Sequence, residues 1–431
     1  MSNLNANQDA NPVSRRSFLK TSAVAAGSAA LTLTPAVHAG GSDILRIGLI
    51  GCGGRGTGAA EQAMNADPNV RLVALGDTFK DQVEGASREL KGSGGEKFAV
   101  KPENCFVGFD AYRKVIDCGV DVVVLATPPH FRPQHLKAAV DAGKHCFVEK
   151  PIAVDAPGVR SVLATCDEAK KKGLSIVSGL CYRYERAKQE TFKRVHEGAI
   201  GDIVALNTVY NTSFTRYSPR KPSWSDMEYQ IRNWFYYTWL SGDHIVEQHV
   251  HSLDKVAWAM RDEYPVKAYG VGGRQSRTDP KMGHIFDHHS VVYEFKNGVK
   301  AYSQCRQQVD CYTEVSDQII GNKGVCNVMK HEIVGAKPWR LRPDRKSNDD
   351  MYQNEHNDFF ASIRSGKPIN NGEYMSYSSL MAIMGRMATY TGQLITWDMA
   401  LHSKEDMTPP KYEWTDLAVA PVAKPGVTKF V

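Results

Sequence analysis

From residue 44 onward the chain alternates short apolar runs with stretches of helical periodicity. Residues 44–50, 70–75, 122–126, 145–148 and 174–178 have strand length and carry few polar positions. Helical patterns separate them: one runs from the glycine-rich 51–56 segment to Met64, and others cover 132–142 and 156–172. Apolar runs alternating with helices predict a parallel sheet covered on both faces. After Gly179 the texture changes. The strand-like runs lengthen, at 203–210, 266–271, 290–295, 299–306 and 317–321, and Asn297-Gly298 between two of them predicts a hairpin. One long helix is expected over 242–260, and others over 354–365 and 376–394. This reads as an α+β second domain with a large open, mainly antiparallel sheet. Residues 409–431 are rich in Pro and Val without period, which predicts an extended tail.

The N-terminus has a different plan. Ser14-Arg15-Arg16-Ser17-Phe18-Leu19-Lys20 precedes an Ala-rich apolar run from Ser22 to Leu33, and Val37-His38-Ala39 offers small residues before a cleavage point. That is the layout of an export signal of the twin-arginine type, read by the twin-arginine machinery. The organisation expected is therefore a signal over 1–39, a first domain over 40–180, a second over 181–400 and a tail over 401–431. No later run is long and apolar enough to span a bilayer, so no transmembrane anchor is expected and the location is periplasmic or extracellular.

The 431 residues are 42% hydrophobic and 23% charged, which excludes a disordered chain. The net charge of +6 includes +2 from the leader. A near-neutral remainder without a basic stripe excludes a nucleic-acid partner. The nine cysteines are odd in number and contain no CxxC pair, so no disulfide framework is expected. Export in a folded state is compatible with reduced cysteines and with a cofactor bound before departure.

Gly51-x-Gly53-x-x-Gly56, with Gly54 and Arg55 inside it, follows the first strand and opens a helix. Such glycines allow a tight turn, close approach of a pyrophosphate and helix–sheet packing, and the helix N-terminus supplies free N–H groups. Asp77 ends the next strand, where a carboxylate accepts from an adenosine ribose. The expectation is an N-terminal doubly wound Rossmann sheet that binds NAD or NADP. Asp77 favours NAD, although Lys80 nearby weakens the preference.

Three further motifs accompany that loop: Ala126-Thr127-Pro128-Pro129-His130 with His135, Glu149-Lys150-Pro151, and Glu247-x-x-x-His251-x-x-Asp254. Together they resemble the Gfo/Idh/MocA oxidoreductases, which include glucose–fructose oxidoreductase and inositol dehydrogenases. The resemblance runs from about Leu45 to Leu394. It implies cofactor contacts at Thr127, Pro128, His130, Glu149 and Lys150, catalytic roles for Lys150 and His251, and substrate contacts at Tyr182 and Arg183 after the fifth strand. It also implies a homo-oligomer paired through the open sheet. The chain departs from the family pattern at Glu247, where Asp is common, and at His249, where the family has glycine.

The chemistry can be argued from the residues. Oxidising a secondary alcohol needs a base for the hydroxyl proton and a positive or hydrogen-bonding group on the oxygen. On one continuous helix Glu247 lies roughly 40° from His251, and His244 and Asp254 lie within about 60°. Val246, Val250, Leu253, Ala257 and Met260 form the adjacent apolar stripe, with His249 on the side away from His251. His251 as acid/base and Lys150 as oxygen polariser is the preferred split, with the reverse open, and Glu247 is the third catalytic candidate. His244 and Arg232 are candidate substrate contacts. Trp234, Tyr236 and Trp239 suit either a sugar or the domain core. His284, Asp287, His288 and His289 either line the cleft or cap a hairpin.

These readings favour an exported NAD(P)-dependent oxidoreductase acting on a sugar, glycoside or cyclitol, with a tightly retained cofactor that is reset in each cycle. Redox-neutral glycoside cleavage on the same fold is the alternative, although the Tyr-Pro-Thr-His stretch of one glycosidase group is absent. A metal on His244, Glu247 and His251 and a non-enzymatic binding protein are further alternatives. The preferred reading has no metal.

Overall fold

A computed structural model describes residues 44–213, 217–342 and 349–431. The export signal lies outside these residues.

The first sheet contains β1 (Leu45–Ile50), β2 (Val70–Asp77), β3 (Cys105–Val107), β4 (Val122–Leu125), β5 (His145–Val148) and β6 (Ile176–Ser178). All its pairings are parallel and the spatial order is β3-β2-β1-β4-β5-β6. Every residue of β4 is buried, as expected of a strand covered on both sides. The order reverses between β1 and β4, and such a reversal opens a crevice at the C-terminal strand ends. Gly51, Asp77, Thr127 and Lys150 follow or end strands at that edge.

The chain then builds β7 (Ile203–Thr212), β8 (Lys267–Gly273), β9 (His288–Glu294), β10 (Lys300–Gln307), β11 (Glu314–Gly321), β12 (Gly324–Asn327), β13 (Glu332–Gly335), β14 (Trp339–Arg340) and β15 (Ile395–Thr396). Their order is β14-β13-β12-β11-β7-β10-β9-β8-β15, antiparallel except for β7 beside β10. Burial alternates along β10: Ala301, Ser303, Cys305 and Gln307 point inward, whereas Tyr302 and Gln304 are exposed. The inner face packs on the Gly372–Thr391 helix. The outer face exposes Val204, Tyr269, Val271 and Tyr302.

The Met351–Arg364 helix follows the second sheet in sequence but covers the first. Its Phe359, Phe360 and Ile363 share a core with Leu45, Ile47, Val70 and Phe147. Residues 403–431 form no helix or strand.

The single helix expected over 242–260 is interrupted. His244–Glu247 and Val250–Ala259 are separate pieces. Asp243, ahead of them, has φ +77°, a left-handed conformation unusual for a non-glycine residue. Its buried carboxylate accepts bonds from the His244 and Phe286 amides, the His244 ring and the Tyr390 hydroxyl, with the His289 ring 3.3 Å away. These long-range donors fix the entry turn, which the local 3.6-residue pattern does not report. The stripe of Val246, Val250, Leu253, Ala257 and Met260 is nevertheless buried throughout.

Candidate active site

A cavity of about 330 Å³ opens at the strand-order reversal. On one side it is lined by Gly51, Gly53–Gly56, Asp77–Phe79, Gln82 and Ala126–Pro128, and on the other by Ser218, Ile231, Arg232, Trp234 and Phe235. Gly51 has φ +98°. A Cβ on Gly56 would collide with the Gly51 carbonyl oxygen, whereas one on Gly53 or Gly54 would meet nothing within 4 Å. The glycines thus serve packing on the strand side and open space on the cavity side. That cradle, at the N-terminus of the Gly54–Ala66 helix, fits a dinucleotide pyrophosphate. Asp77, on the same wall, accepts from the Cys52 and Phe79 amides at 2.7 and 2.9 Å, one bond to each carboxylate oxygen. Burial raises its pKa despite those bonds. Lys80 pairs with Glu84 at 3.6 Å, on its own helix.

At the other end of the cavity Arg55 links the glycine loop to the residues after β5. Its guanidinium donates to Glu149, to Glu355 at 2.8 Å and to Gln62 at 2.8 Å, and lies 4.7 Å from the Tyr352 ring centre. One cation therefore faces two buried carboxylates. Burial pushes Glu149 up, but the charges of Arg55, Lys150 and Arg132 outweigh it and hold the group ionised. At Glu355 burial is the larger effect and, with the nearby Glu149 charge, raises the group well above the usual carboxylate value despite Arg55. Arg132 is buried and donates to the Thr127 and Pro151 carbonyls, which ties the two loops together.

Lys150 Nζ donates to the Glu247 carbonyl at 2.7 Å and to Glu247 Oε1 at 2.9 Å. Both side chains are largely buried. The ammonium is therefore held by two contacts from one residue of the second domain, with a third donor left over. His251 lies beyond, partly exposed, its ring meeting Tyr182 edge-on with centroids 5.3 Å apart. Its Nδ1 has no hydrogen-bond partner among the described residues. Burial lowers the His251 pKa well below the usual value, and the nearby charges of Lys150, Lys255 and Arg55 add to the effect. A neutral imidazole beside a fixed ammonium is a base next to an oxygen-binding cation.

The structure brings together the glycine loop, Asp77, Thr127, Pro128, Glu149, Lys150, Glu247, His251 and Tyr182. Arg232 joins them on the opposite cavity wall, whereas Arg183, His244 and His130 lie elsewhere. Arg183 is clamped by Asp254 at 2.9 Å and Asp262 at 2.6 Å, with its guanidinium over Tyr374. His244 belongs to the Asp243–His289 cluster, its ring 2.8 Å from Asp243 Oδ1 and its centroid 4.8 Å from that of His289. His244, Glu247 and His251 accordingly do not share a metal-binding face. Arg232 and Trp234 line the dinucleotide cavity. His130 bonds the Tyr412 hydroxyl at 2.8 Å outside that cavity, and Tyr236 is core. Asp287 caps the amides of Gln275, Ser276 and Arg277. His249 is buried against Ser303. Sequence reasoning missed Arg132, Lys255 and Glu355. All three lie on expected helices, over 132–142, 242–260 and 354–365, where a charged residue reads as surface.

The family model described as "Oxidoreductase family, NAD-binding Rossmann fold" matches residues 45–177, and the model "GFO/IDH/MocA C-terminal domain" matches 189–327. The chain belongs to the Gfo/Idh/MocA oxidoreductase family. A twin-arginine signal model matches residues 12–32, and no helix among the described residues is long and apolar enough to cross a membrane. Among curated Gfo/Idh/MocA relatives, the scyllo-inositol 2-dehydrogenase (NAD(+)) of Bacillus subtilis (strain 168) is 23% identical over 75% of this chain and 87% of its own. The 2,7-anhydro-N-acetylneuraminate hydratase of Escherichia coli (strain K12) is 26% identical over 59% of this chain and 65% of its own. The fold is shared with levoglucosan dehydrogenase in complex with NADH and levoglucosan, at TM-score 0.65 and 20% identity over 82% of this chain and 99% of that one.

Proposed function

We propose that this chain is exported to the periplasm or the extracellular space and oxidises a secondary hydroxyl of a sugar, glycoside or cyclitol, using a nicotinamide dinucleotide that travels with it. The observation that carries the reading is the Glu247-held Lys150 ammonium beside the neutral His251, at the end of the sheet that also forms the dinucleotide cradle. The inositol and levoglucosan specificities belong to the relatives, and they support a polyhydroxylated substrate here.

When bound, the dinucleotide supplies hydride acceptance and donation. Gly51, Gly53, Gly54 and Gly56 would hold its pyrophosphate, and Asp77 its adenosine ribose, which favours NAD. Lys150 donates to the substrate oxygen and stabilises negative charge as the carbonyl forms. His251 accepts the hydroxyl proton and becomes imidazolium, returning the proton when the reaction runs in reverse. Tyr182 bounds the imidazole on one side. Export away from the cytoplasmic nicotinamide pool supports a cofactor reset within each cycle. The hydratase relative gives weight to the redox-neutral form, in which transient oxidation activates a neighbouring bond and re-reduction closes the cycle.

The test is to denature the folded protein, identify released nucleotide by mass spectrometry, and then assay polyol and glycoside panels by absorbance of the reduced cofactor. One equivalent of NAD(H) with Lys150→Met and His251→Asn variants that bind nucleotide yet lose at least about 100-fold in kcat supports the reading. Variants with full activity overturn the assignment.

A further inference from the structure

The cavity wall opposite the glycine loop comes from a strap in the second half of the chain, and that strap is itself tied down. The Asp226–Arg232 helix and the following Trp234–Tyr236 turn contribute Ile231, Arg232, Trp234 and Phe235 to the lining. Arg232 spans the mouth at the adenosine end. Its guanidinium lies 3.9 Å from the Phe79 ring centre and bonds both oxygens of Asp81 at 3.0 Å. Glu228, one turn back on the strap, accepts from Arg232 at 2.9 Å and holds the side chain in line.

The C-terminal tail crosses the outside of this strap and binds both of its supports. The Met227 amide donates to the Thr415 carbonyl at 3.2 Å, the Leu417 amide to Asp226 at 3.3 Å, and the Gln230 side chain to the Leu417 carbonyl at 2.7 Å. On the Rossmann side Trp414 packs on Phe79 with centroids 5.6 Å apart and on Phe109 at 4.7 Å, while the Tyr412 hydroxyl meets His130 at 2.8 Å. The tail therefore joins the strap to the domain that the strap closes. Exposed ion pairs such as Arg232–Asp81 hold little on their own. A backbone bridge combined with aromatic packing holds more, and it must part before the cavity opens.

We propose that residues 411–417 are a functional part of the dinucleotide site, a clasp that keeps the Asp226–Phe235 strap closed over the adenosine end and sets how slowly the nucleotide leaves. The proposal deepens the retained-cofactor reading and rests on it for its biological purpose: the clasp keeps the cofactor in place where no pool can replace it. Trp414 and Leu417 act through the strap and are positioning residues.

The experiment loads full-length protein with NADH and follows release by fluorescence after mixing with excess NAD. Trp414→Ala removes the packing on Phe79, and Asp226→Ala removes the acceptor for Leu417 together with a bond to Arg220. Release at least about tenfold faster in these variants, with little change in the melting temperature of nucleotide-free protein, supports the clasp. Release within threefold of the unaltered protein overturns it. Should a variant fail to fold, hydrogen exchange in the unaltered protein decides: slowing at the Met227 and Leu417 amides on NADH binding supports the clasp, and unchanged exchange overturns it. Unaltered protein that loses its nucleotide on dialysis, while the variants lose it faster still, removes the retained-cofactor reading and leaves the clasp standing.

Discussion

Gly53 and Gly56 lie three residues apart in one loop, yet replacing each with alanine has opposite expected consequences. Gly53 has φ −71° and ψ 177°, a conformation open to any residue, and its added Cβ meets nothing within 4 Å. The entropy gained in the unfolded chain, about 0.4–1 kcal/mol, offsets the poorer helix cap, so Gly53→Ala leaves stability nearly unchanged. The methyl group instead occupies the space the pyrophosphate needs. Displacing that group by about an ångström breaks one or two amide bonds to a charged acceptor, each worth about 1.5–3 kcal/mol, so NADH affinity falls at least tenfold. At Gly56 the Cβ runs into the Gly51 carbonyl and comes within 3.1 Å of the Ala126 Cβ. Neither atom is the end of a flexible side chain, so the helix must leave the strand at a cost of about 3 kcal/mol or more. Thermal unfolding without nucleotide and NADH titration by fluorescence separate the two effects. A Gly53→Ala variant that binds NADH like the parent, or a Gly56→Ala variant that melts with it, refutes this account of the loop.

Glu355→Gln is expected to leave the melting temperature near neutral pH almost unchanged, because glutamine resembles the protonated acid, whereas Glu149→Gln costs about 3 kcal/mol by removing the ion that balances Arg55. Thermal melts of both variants check this, and equal losses contradict it. His251 faces Lys150 from the loop after β5, Lys255 from its own helix, Arg55 from the glycine loop and the Tyr182 ring. The pH profile of kcat/KM should therefore show no acid limb near 6.5, and Lys255→Met combined with Asp317→Asn, which removes a buried pair together, should shift the acid side of the profile upward while burial and Lys150 still hold His251 below its usual value. Burial holds His130, His284 and His289 at about 4 and His135 at about 3. These groups are neutral when folded, and the unfolded chain takes up their protons first as pH falls below about 6.5. Each then costs about 1.4 kcal/mol of stability per pH unit until its folded value is reached. Urea unfolding at pH 7 and pH 5 measures the loss, and equal midpoints would count against it.

The parts of the site that lie at strand ends were legible in the sequence. Gly51 to Gly56, Asp77, Thr127 and Lys150 follow apolar runs whose lengths fix where the sheet stops, and a parallel sheet gathers those ends at one edge. His251 and Glu247 were found through their spacing, although the helix that suggested it is broken. His244 and Arg183 read differently in the sequence for one physical reason: each packs against a partner more than 40 residues away, the His289 ring in one case and Asp254 with Asp262 in the other. Periodicity reports which face of an element is apolar. It does not report which polar group a distant strand will supply, and for the same reason Arg132 and Glu355 read as ordinary surface residues.

The Met351–Arg364 helix also governs the order in which the molecule can be assembled. It brings Phe359 and Phe360 to the first sheet, Glu355 to Arg55 and Arg364 to Asp67. A ribosome that has finished β6 has made every strand of the nucleotide-binding sheet but not the helix that seals one face of it. Nearly two hundred further residues must emerge before that face is dry and Arg55 has its full set of partners. A chain interrupted midway therefore lacks both the apolar cover of that sheet and the Glu355 partner of Arg55.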